Sequence, residues 1–173
     1  MPNVTAPYVS HASELAGLAS EQLDDLCTYA THLVADAEDA LEFVAAGISH
    51  ASRYPPARVR VDGRVALYRA VTNACRHEQR FPPRPSGPAR LFRRHRPTLD
   101  ATADAEAAQR INTVKRALAT LPFDRRAALL LRDLGRLSYR EMARALECSP
   151  EAASRLLAGA RREFGGVYRE IAI

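Results

Sequence analysis

The chain has 173 residues, of which 47% are apolar, so it can bury the core of one ordinary domain or of two small ones. Ala, Leu, Arg and Glu dominate and Trp is absent, a composition of helix formers that predicts an all-α protein. The net charge is +5. The sequence has no run of 18 apolar residues, which excludes a membrane-spanning helix. It also shows no N-terminal signal pattern, so we expect a cytoplasmic location.

The N-terminal third predicts two helices after a short lead-in. Residues 1–12 read as a flexible segment. Apolar residues then recur at helical spacing from Ser13 to Val34, and Ser20 followed by Glu21 indicates a new helix start within that stretch.

Two further amphipathic helices complete the first half. One begins at Asp36 with acids in its first turn, where the helix dipole favours them, and its predicted inward residues are Leu41, Val44 and Ile48. Residues 55–62 are expected to form a connecting loop. The segment 63–79 follows as a helix with Val65, Tyr68, Val71 and Cys75 on its buried face.

Residues 81–103 are predicted to be a basic linker between two small helical domains, 13–80 and 104–173. The stretch 81–97 holds five prolines, a density that cannot continue a helix, and arginines at positions 90, 93, 94 and 96 place positive charge there.

The second half is predicted to begin with two helices. The first starts near Asp104 and stops at Pro122, with Ile111, Val114, Leu118 and Leu121 facing inward. The second runs over 124–134, and Gly135 ends it.

Two strong helix starts follow at a spacing typical of a helix-turn-helix. Ser138 with Glu141 three residues later forms a capping box, and that helix extends to Leu146. Ser149 followed by Pro150 begins the last helix, which is expected to end near Phe164 because Gly165 and Gly166 follow.

The last helix is predicted to present a polar face to the major groove of DNA. Its outward residues are Glu151, Ser154, Arg155, Ala158 and Arg162. Arg155 can donate a bidentate pair to guanine, whereas Arg161 and Arg162 suit phosphate contacts. The spacing alone is equally compatible with an ordinary helical hairpin that has a solvated arginine face.

The segment 121–164 resembles the promoter-binding C-terminal domain of bacterial sigma factors of the extracytoplasmic-function (ECF) subgroup. The resemblance is carried by Leu121-Pro122, Arg126, Leu130, Arg132, Leu137-Ser138-Tyr139, Glu141, Ala143, Leu146, Ser149 and Ala160-Arg161. It implies recognition of the minus-thirty-five promoter element, for which the candidate residues are Ser138, Arg140, Ser154, Arg155, Arg161 and Arg162.

The first half resembles the other domain of the same family. The acidic segment 36–39 and the helix after it are similar to the part that binds core RNA polymerase, with Asp36, Glu38, Asp39, Leu41 and Glu42 as candidates. The segment 63–77 is similar to the helix that reads the minus-ten element, with Arg64, Arg69, Asn73 and Arg76 as candidates. The family implies a further partner, an anti-sigma factor.

The charge distribution fits two kinds of partner without reference to the family. Net charge is −4 over residues 1–75, +6 over 76–97 and +3 over 98–173. An acidic end suits a basic protein surface, and a basic remainder suits a polyanion.

Two departures from the family pattern keep other functions open. Ala66 stands where the family usually has Trp, and Gly159 stands where an Arg is usual. The alternatives are a helix-turn-helix regulator that acts without core polymerase, which would need a dimer and a palindromic site, and a sigma-like interaction module without initiation activity.

The sequence predicts no enzyme, cofactor or metal site. Cys27, Cys75 and Cys148 lie far apart, and the five histidines show no ligand spacing. We found no nucleophile–base grouping, phosphate-binding glycine loop or paired catalytic carboxylate.

Overall fold

The computed structural model describes residues 6–34, 37–80 and 104–172, and every regular element in these ranges is an α-helix. The expected all-α class is therefore confirmed. The helices are α1 (Ala6–Glu21), α2 (Leu23–Leu33), α3 (Ala37–Ala51), α4 (Pro56–Arg80), α5 (Asp104–Thr120), α6 (Phe123–Asp133), α7 (Tyr139–Leu146) and α8 (Pro150–Ile171). The proposed linker of residues 81–103 lies outside the described residues, and so do the arginines at positions 90, 93, 94 and 96.

The first two helices are separated near the predicted position, but α1 begins earlier and α2 slightly later than expected. A break in the helix at Gln22 separates α1 from α2, close to the predicted start at Ser20. Helix α1 begins at Ala6, so a flexible segment reaching residue 12 is too long. Leu15 and Ala19 are the buried residues of its last turns.

Residues 55–62 are not the loop that the tandem prolines suggest. Helix α4 begins at Pro56, which is well suited to a first helical position because its fixed φ matches the helix and its missing N–H has no partner there. Asp62 has φ −133° and ψ 27°, so the helix has a kink at that residue.

Helix α3 buries two of its three predicted inward residues, since Val44 is buried and Ile48 packs against the core, whereas Leu41 does not. Ala40, Val44 and Gly47 lie inward at i, i+4 and i+7, while Leu41, one position further round the helix, is 59% exposed. A Cβ at Gly47 would lie 2.7 Å from Val71 Cγ2, so a glycine allows α3 and α4 to approach closely. The expected inward position of Leu41 was wrong.

Helix α5 shows one similar difference. Ala117, Leu118 and Leu121 are buried, but Ile111 is 53% exposed and lies at an open groove between α5 and α2. The expected inward position of Ile111 was therefore wrong, whereas the predicted stop at Pro122 holds, since α5 ends at Thr120.

The last helix is longer than predicted. Helix α8 continues through Gly165 and Gly166 to Ile171, and the Phe164 and Tyr168 rings stack one turn apart with centroids 5.7 Å from each other. Two glycines weaken a helix but do not end it when neighbouring turns are held by packing. The expected break at these glycines was wrong.

The buried apolar residues of the two halves form one continuous cluster. Tyr29, Tyr68 and Val71 of the first half belong to it together with Leu131 and Met142 of the second. Helix α4 packs against α7, and α2 packs against α6. This packing places the proposed minus-ten helix beside the helix-turn-helix.

Candidate nucleic-acid interface

The start of α7 is fixed by a complete capping box. The Ser138 N–H donates to Glu141 Oε2 at 2.7 Å, and the Glu141 N–H donates to Ser138 Oγ at 3.4 Å. Hydrogen bonds from the Ser138 side chain and backbone lower the pKa of the Glu141 carboxyl. The predicted capping box is confirmed, and it sets the direction in which α7 leaves the preceding turn.

The turn between α7 and α8 is equally well defined. Glu147 has φ 56°, a left-handed conformation, and the Cys148 N–H donates to the Ala143 carbonyl at 2.9 Å. The Ala152 N–H then donates to Ser149 Oγ at 3.1 Å, with Pro150 at the first position of α8. These contacts make residues 138–164 a helix-turn-helix with a rigid connection.

The face of α8 that would enter a groove is open to solvent. Ala153, Leu157 and Ala160 are buried against the rest of the domain. On the other side Ser154, Arg155 and Arg162 are exposed. Both arginines therefore have room to contact DNA without rearrangement of α8.

The remaining minus-thirty-five candidates have differing surroundings. Arg161 is exposed but forms an ion pair with Asp133, with Nη2 and Oδ1 3.3 Å apart. Arg140 is exposed on the first turn of α7. The Ser138 hydroxyl is engaged by Glu141 Oε2 at 2.7 Å, so Ser138 serves the helix cap in this conformation.

Three of the four minus-ten candidates lie along one side of α4. Arg76 Nη1 donates to Asn73 Oδ1 at 3.0 Å, and Arg69 lies one turn before Asn73. Arg64 is directed elsewhere, because its Nε donates to Gln22 Oε1 at 2.9 Å and its guanidinium lies 5.7 Å from the Tyr68 ring centroid.

Arg69 and Arg76 both form ion pairs with the second half of the chain. Arg69 pairs with Glu147 in the turn of the helix-turn-helix, and Arg76 Nη2 lies 2.9 Å from Asp124 Oδ1 on α6. Sequence reasoning missed both carboxylates, since pairs 78 and 48 positions apart leave no local signal.

Tyr54 and Tyr68 are not arranged to stack on bases. Tyr68 is fully buried, meets the Tyr29 ring edge-on with centroids 5.3 Å apart, and belongs to the core as predicted. Tyr54 is half-buried, with the Arg69 guanidinium 5.9 Å from its ring centroid. Ala66 is 3% exposed.

The acidic candidates are described only in part. Asp36 and the side chain of Glu38 lie outside the described residues. Asp39 is half-buried, whereas Leu41 and Glu42 are exposed next to each other on α3. The structure therefore places an apolar and an acidic side chain together at an accessible position.

Neither a cluster of metal-ligand side chains nor a membrane-spanning helix occurs in the part of the chain that the structure describes. Among those residues no three or more His, Cys, Asp or Glu side chains cluster as metal ligands would. None of the described helices combines the length and the apolar character needed to cross a bilayer.

Residues 111–164 match the family model described as sigma-70, region 4. The matched range begins inside α5 and ends inside α8, so it includes the whole helix-turn-helix. The match shows that this segment is similar to sigma-70 region 4, which is a DNA-binding regulatory domain and not an enzyme. No curated protein was found to match the chain.

Proposed function

We propose that this chain is a sigma factor of the ECF subgroup that binds core RNA polymerase and directs promoter recognition and transcription initiation. One observation carries the proposal: the segment that matches sigma-70 region 4 is a capped helix-turn-helix whose second helix leaves Ser154, Arg155 and Arg162 exposed. The expected partners are core RNA polymerase, promoter DNA and an anti-sigma factor, and the expected location is the cytoplasm.

Helix α8 would read the minus-thirty-five element. An exposed arginine near the start of a recognition helix can donate two hydrogen bonds to a guanine, which makes Arg155 the main candidate for sequence readout. Arg140, Arg161 and Arg162 would contact phosphates and add affinity that does not depend on sequence.

Helix α4 would contact the minus-ten element through Arg69, Asn73 and Arg76. Their common side supports the assignment, because three polar groups in line can follow one DNA strand. Arg64 was also a candidate, and its contacts with Gln22 and Tyr68 favour a role in holding α4 against the first two helices.

The N-terminal end of α3 would bind the polymerase through Asp36, Glu38, Asp39, Leu41 and Glu42. Leu41 is a large apolar side chain that is 59% exposed, and such a side chain is suited to burial in an interface with a partner protein. The acids around it would pair with basic residues of the partner and increase the rate of encounter.

A sigma-like regulator without initiation activity is the second candidate. Burial of Tyr68 and the presence of Ala66 where the family usually has Trp favour it, since base–aromatic stacking contributes about 1–3 kcal/mol per base to single-strand binding. Such a protein would bind polymerase or DNA without opening a promoter.

The test is direct binding of the purified chain to core RNA polymerase, with variants at the proposed surface. Leu41→Arg should weaken binding at least tenfold, because it places a charge in an apolar contact. Val61→Arg is the matched control, since Val61 is 80% exposed on α4 and outside the proposed surface. Equal affinity of the Leu41 variant and the wild type would rule out this polymerase surface.

A further inference from the structure

Gly159 lies in the interior of α8, the proposed recognition helix, and an arginine from α6 lies directly on it. A Cβ built at Gly159 would be 3.1 Å from Nε, 3.4 Å from Cζ and 3.6 Å from Cδ of Arg125. Gly159 is itself buried. The Arg125 side chain therefore occupies the space that a side chain at position 159 would fill.

This close approach explains why a glycine suits the middle of α8. Glycine lowers the stability of a helix interior relative to alanine, because it has more backbone freedom to lose on folding. At Gly159, however, any larger residue would have to displace the Arg125 guanidinium from the surface of α8. The glycine thus allows a side chain of another helix to lie against the recognition helix.

Two sets of contacts hold Arg125 in this place. Arg125 Nη1 donates to Oε1 of Glu163, which lies one turn after Gly159 on α8. The neighbouring Arg126 fixes the first turn of α6, because its Nη2 donates to two carbonyls at the end of α5 and in the turn after it, at 3.1 and 3.0 Å. Arg125 therefore extends toward α8 from a backbone that is already held in place.

The position of Gly159 brings this guanidinium beside the two exposed arginines of α8. Arg155, Gly159 and Arg162 occur at i, i+4 and i+7, a spacing that places residues on one side of a helix. With a rise of about 1.5 Å per residue, these positions are about 6 Å and about 4.5 Å apart along the helix axis. Arg125 thus adds a third guanidinium to the side of α8 that is open to solvent.

The Arg125 guanidinium can still reach a ligand. The side chains of Arg125 and Glu163 are 38% and 42% exposed. A guanidinium has five N–H donors in a planar fork, so one carboxylate does not exhaust them. Exposed ion pairs contribute little to stability and weaken with salt, so a phosphate can share or replace the Glu163 carboxylate.

We propose that Arg125 is a DNA-contacting residue, through which α6 supplies a phosphate-binding guanidinium to the recognition helix at the position of Gly159. The contact is with a phosphate because Arg125 lies at the edge of the exposed face of α8, next to α6. When the centre of that face enters a groove, the sugar–phosphate backbone passes along its edges. The inference rests on the proposed function, because it names a further contact of the same DNA-binding site.

The test is the salt dependence of binding between the full chain and a fluorescent DNA duplex of random sequence, followed by anisotropy without polymerase. Each phosphate contact contributes about 0.9 to the slope of log affinity against log salt concentration. Arg125→Ala should therefore reduce this slope by about 1 and weaken binding about five- to tenfold at about 0.1 M salt.

Three further variants separate a DNA contact from a general charge effect. Arg116→Ala has the same change of charge at an exposed position of α5 and should leave the slope unchanged. Arg125→Lys keeps a positive charge and should retain the slope.

The double variant Arg125→Ala/Gly159→Arg moves the arginine from α6 to α8, and the space over position 159 is then vacant for it. It should restore both the slope and the affinity. A role of Arg125 only in attaching α6 to α8 would not be rescued by an arginine that α8 itself carries.

Three results would overturn the proposal. One is an Arg125→Ala chain that binds the duplex with the affinity and salt slope of the wild type. Another is a loss of affinity that the double variant does not recover. The third is a wild-type chain that does not bind duplex DNA even at low salt.

These assays contain no polymerase, so their outcome is separable from that of the proposed function. A chain that binds DNA through Arg125 but directs no transcription start would count against the initiation role alone. A chain that initiates transcription, but whose DNA affinity does not depend on Arg125, would count against the present inference alone.

Discussion

The carboxylate of Glu141 connects the stability of α7 to pH. Its pKa is lowered in the folded chain by hydrogen bonds from Ser138, so its contribution is complete above the ordinary glutamate pKa and is lost as pH falls through the lower folded value. We expect Glu141→Gln to lower the free energy of unfolding by about 0.3–1 kcal/mol at pH 7, since the charge near the helix N-terminus is lost.

The difference between wild type and Glu141→Gln should shrink as pH falls below the ordinary glutamate pKa, and it should vanish once the pH lies below the lowered folded pKa, where the wild-type carboxyl is also neutral. Thermal unfolding of both proteins across pH measures it. Glu14→Gln, at an exposed position of α1, serves as the control. A difference that stays constant down to low pH would show that the carboxylate charge is not what stabilises the cap.

Arg155 and Arg162 should differ in what their removal does to promoter binding. We expect Arg155→Ala to cost about 1–3 kcal/mol on the preferred sequence and to relax discrimination at one base pair. Arg162→Ala should weaken binding to all sequences by a similar factor. Binding of both variants, in complex with polymerase, to a set of single-base minus-thirty-five mutants distinguishes these roles; identical profiles would contradict the assignment.

At the level of single residues, the sequence predicts those contacts that form between residues close together in the chain. Ser138 with Glu141, and Ser149 with Pro150, are recognisable because each cap is complete within four positions. The partners of Arg69 and Arg76 are not recognisable in this way. Glu147 and Asp124 come near them only through the packing of α4 on the second half.

Among the helices, Gly165 and Gly166 of α8 allow a direct test of whether this helix continues beyond Phe164. A Cβ at Gly165 or Gly166 would meet no atom within 4 Å, and α8 is continuous there. We expect Gly165→Ala and Gly166→Ala each to raise the free energy of unfolding, by up to about 1 kcal/mol, because alanine favours the helix. Chemical denaturation of the full chain measures the change.

Gly47→Ala is the contrasting variant. The added Cβ would lie 2.7–2.9 Å from the Val71 side chain and backbone, so α3 would have to move away from α4. That substitution should destabilise the chain by about 1–3 kcal/mol, as overpacking usually does. Destabilisation by the α8 alanines would instead indicate that the helix beyond Phe164 is not formed in solution.

The differences between predicted and observed helices have a common physical origin. Periodicity identifies an amphipathic helix, but it does not decide which of two adjacent apolar residues faces the core. Ala40 is buried and Leu41 is exposed because the close approach of α3 to α4 favours small side chains. Likewise Pro56 was interpreted as a loop residue although it suits a helix start equally well.

For the whole molecule, the sequence predicts the helical class and the helix-turn-helix, but not how the halves meet. Charge asymmetry along the chain pointed to separate partners for an acidic and a basic part. The structure adds that acids and arginines of the two halves also pair with each other, as Asp62 does with Arg144. This pairing depends on long-range packing that no local pattern encodes.

The contact between α4 and the second half of the chain should respond to ionic strength. Its three crossing ion pairs involve partly exposed groups, so added salt should weaken the contact by screening while leaving the buried core largely intact. We expect the radius of gyration of the wild type to rise with salt before any helix unfolds, as followed by scattering and circular dichroism together. In Arg144→Asp, which lacks the ion pair with Asp62, the salt dependence should be smaller.

Run-off transcription tests the central claim, that this chain is an initiation factor, most directly. Purified core RNA polymerase is combined with a promoter library, with and without the protein, and the start sites are mapped. We predict protein-dependent start sites that share an upstream sequence, with Arg155→Ala altering the preferred minus-thirty-five bases. Binding of core polymerase without any new start site would contradict that claim.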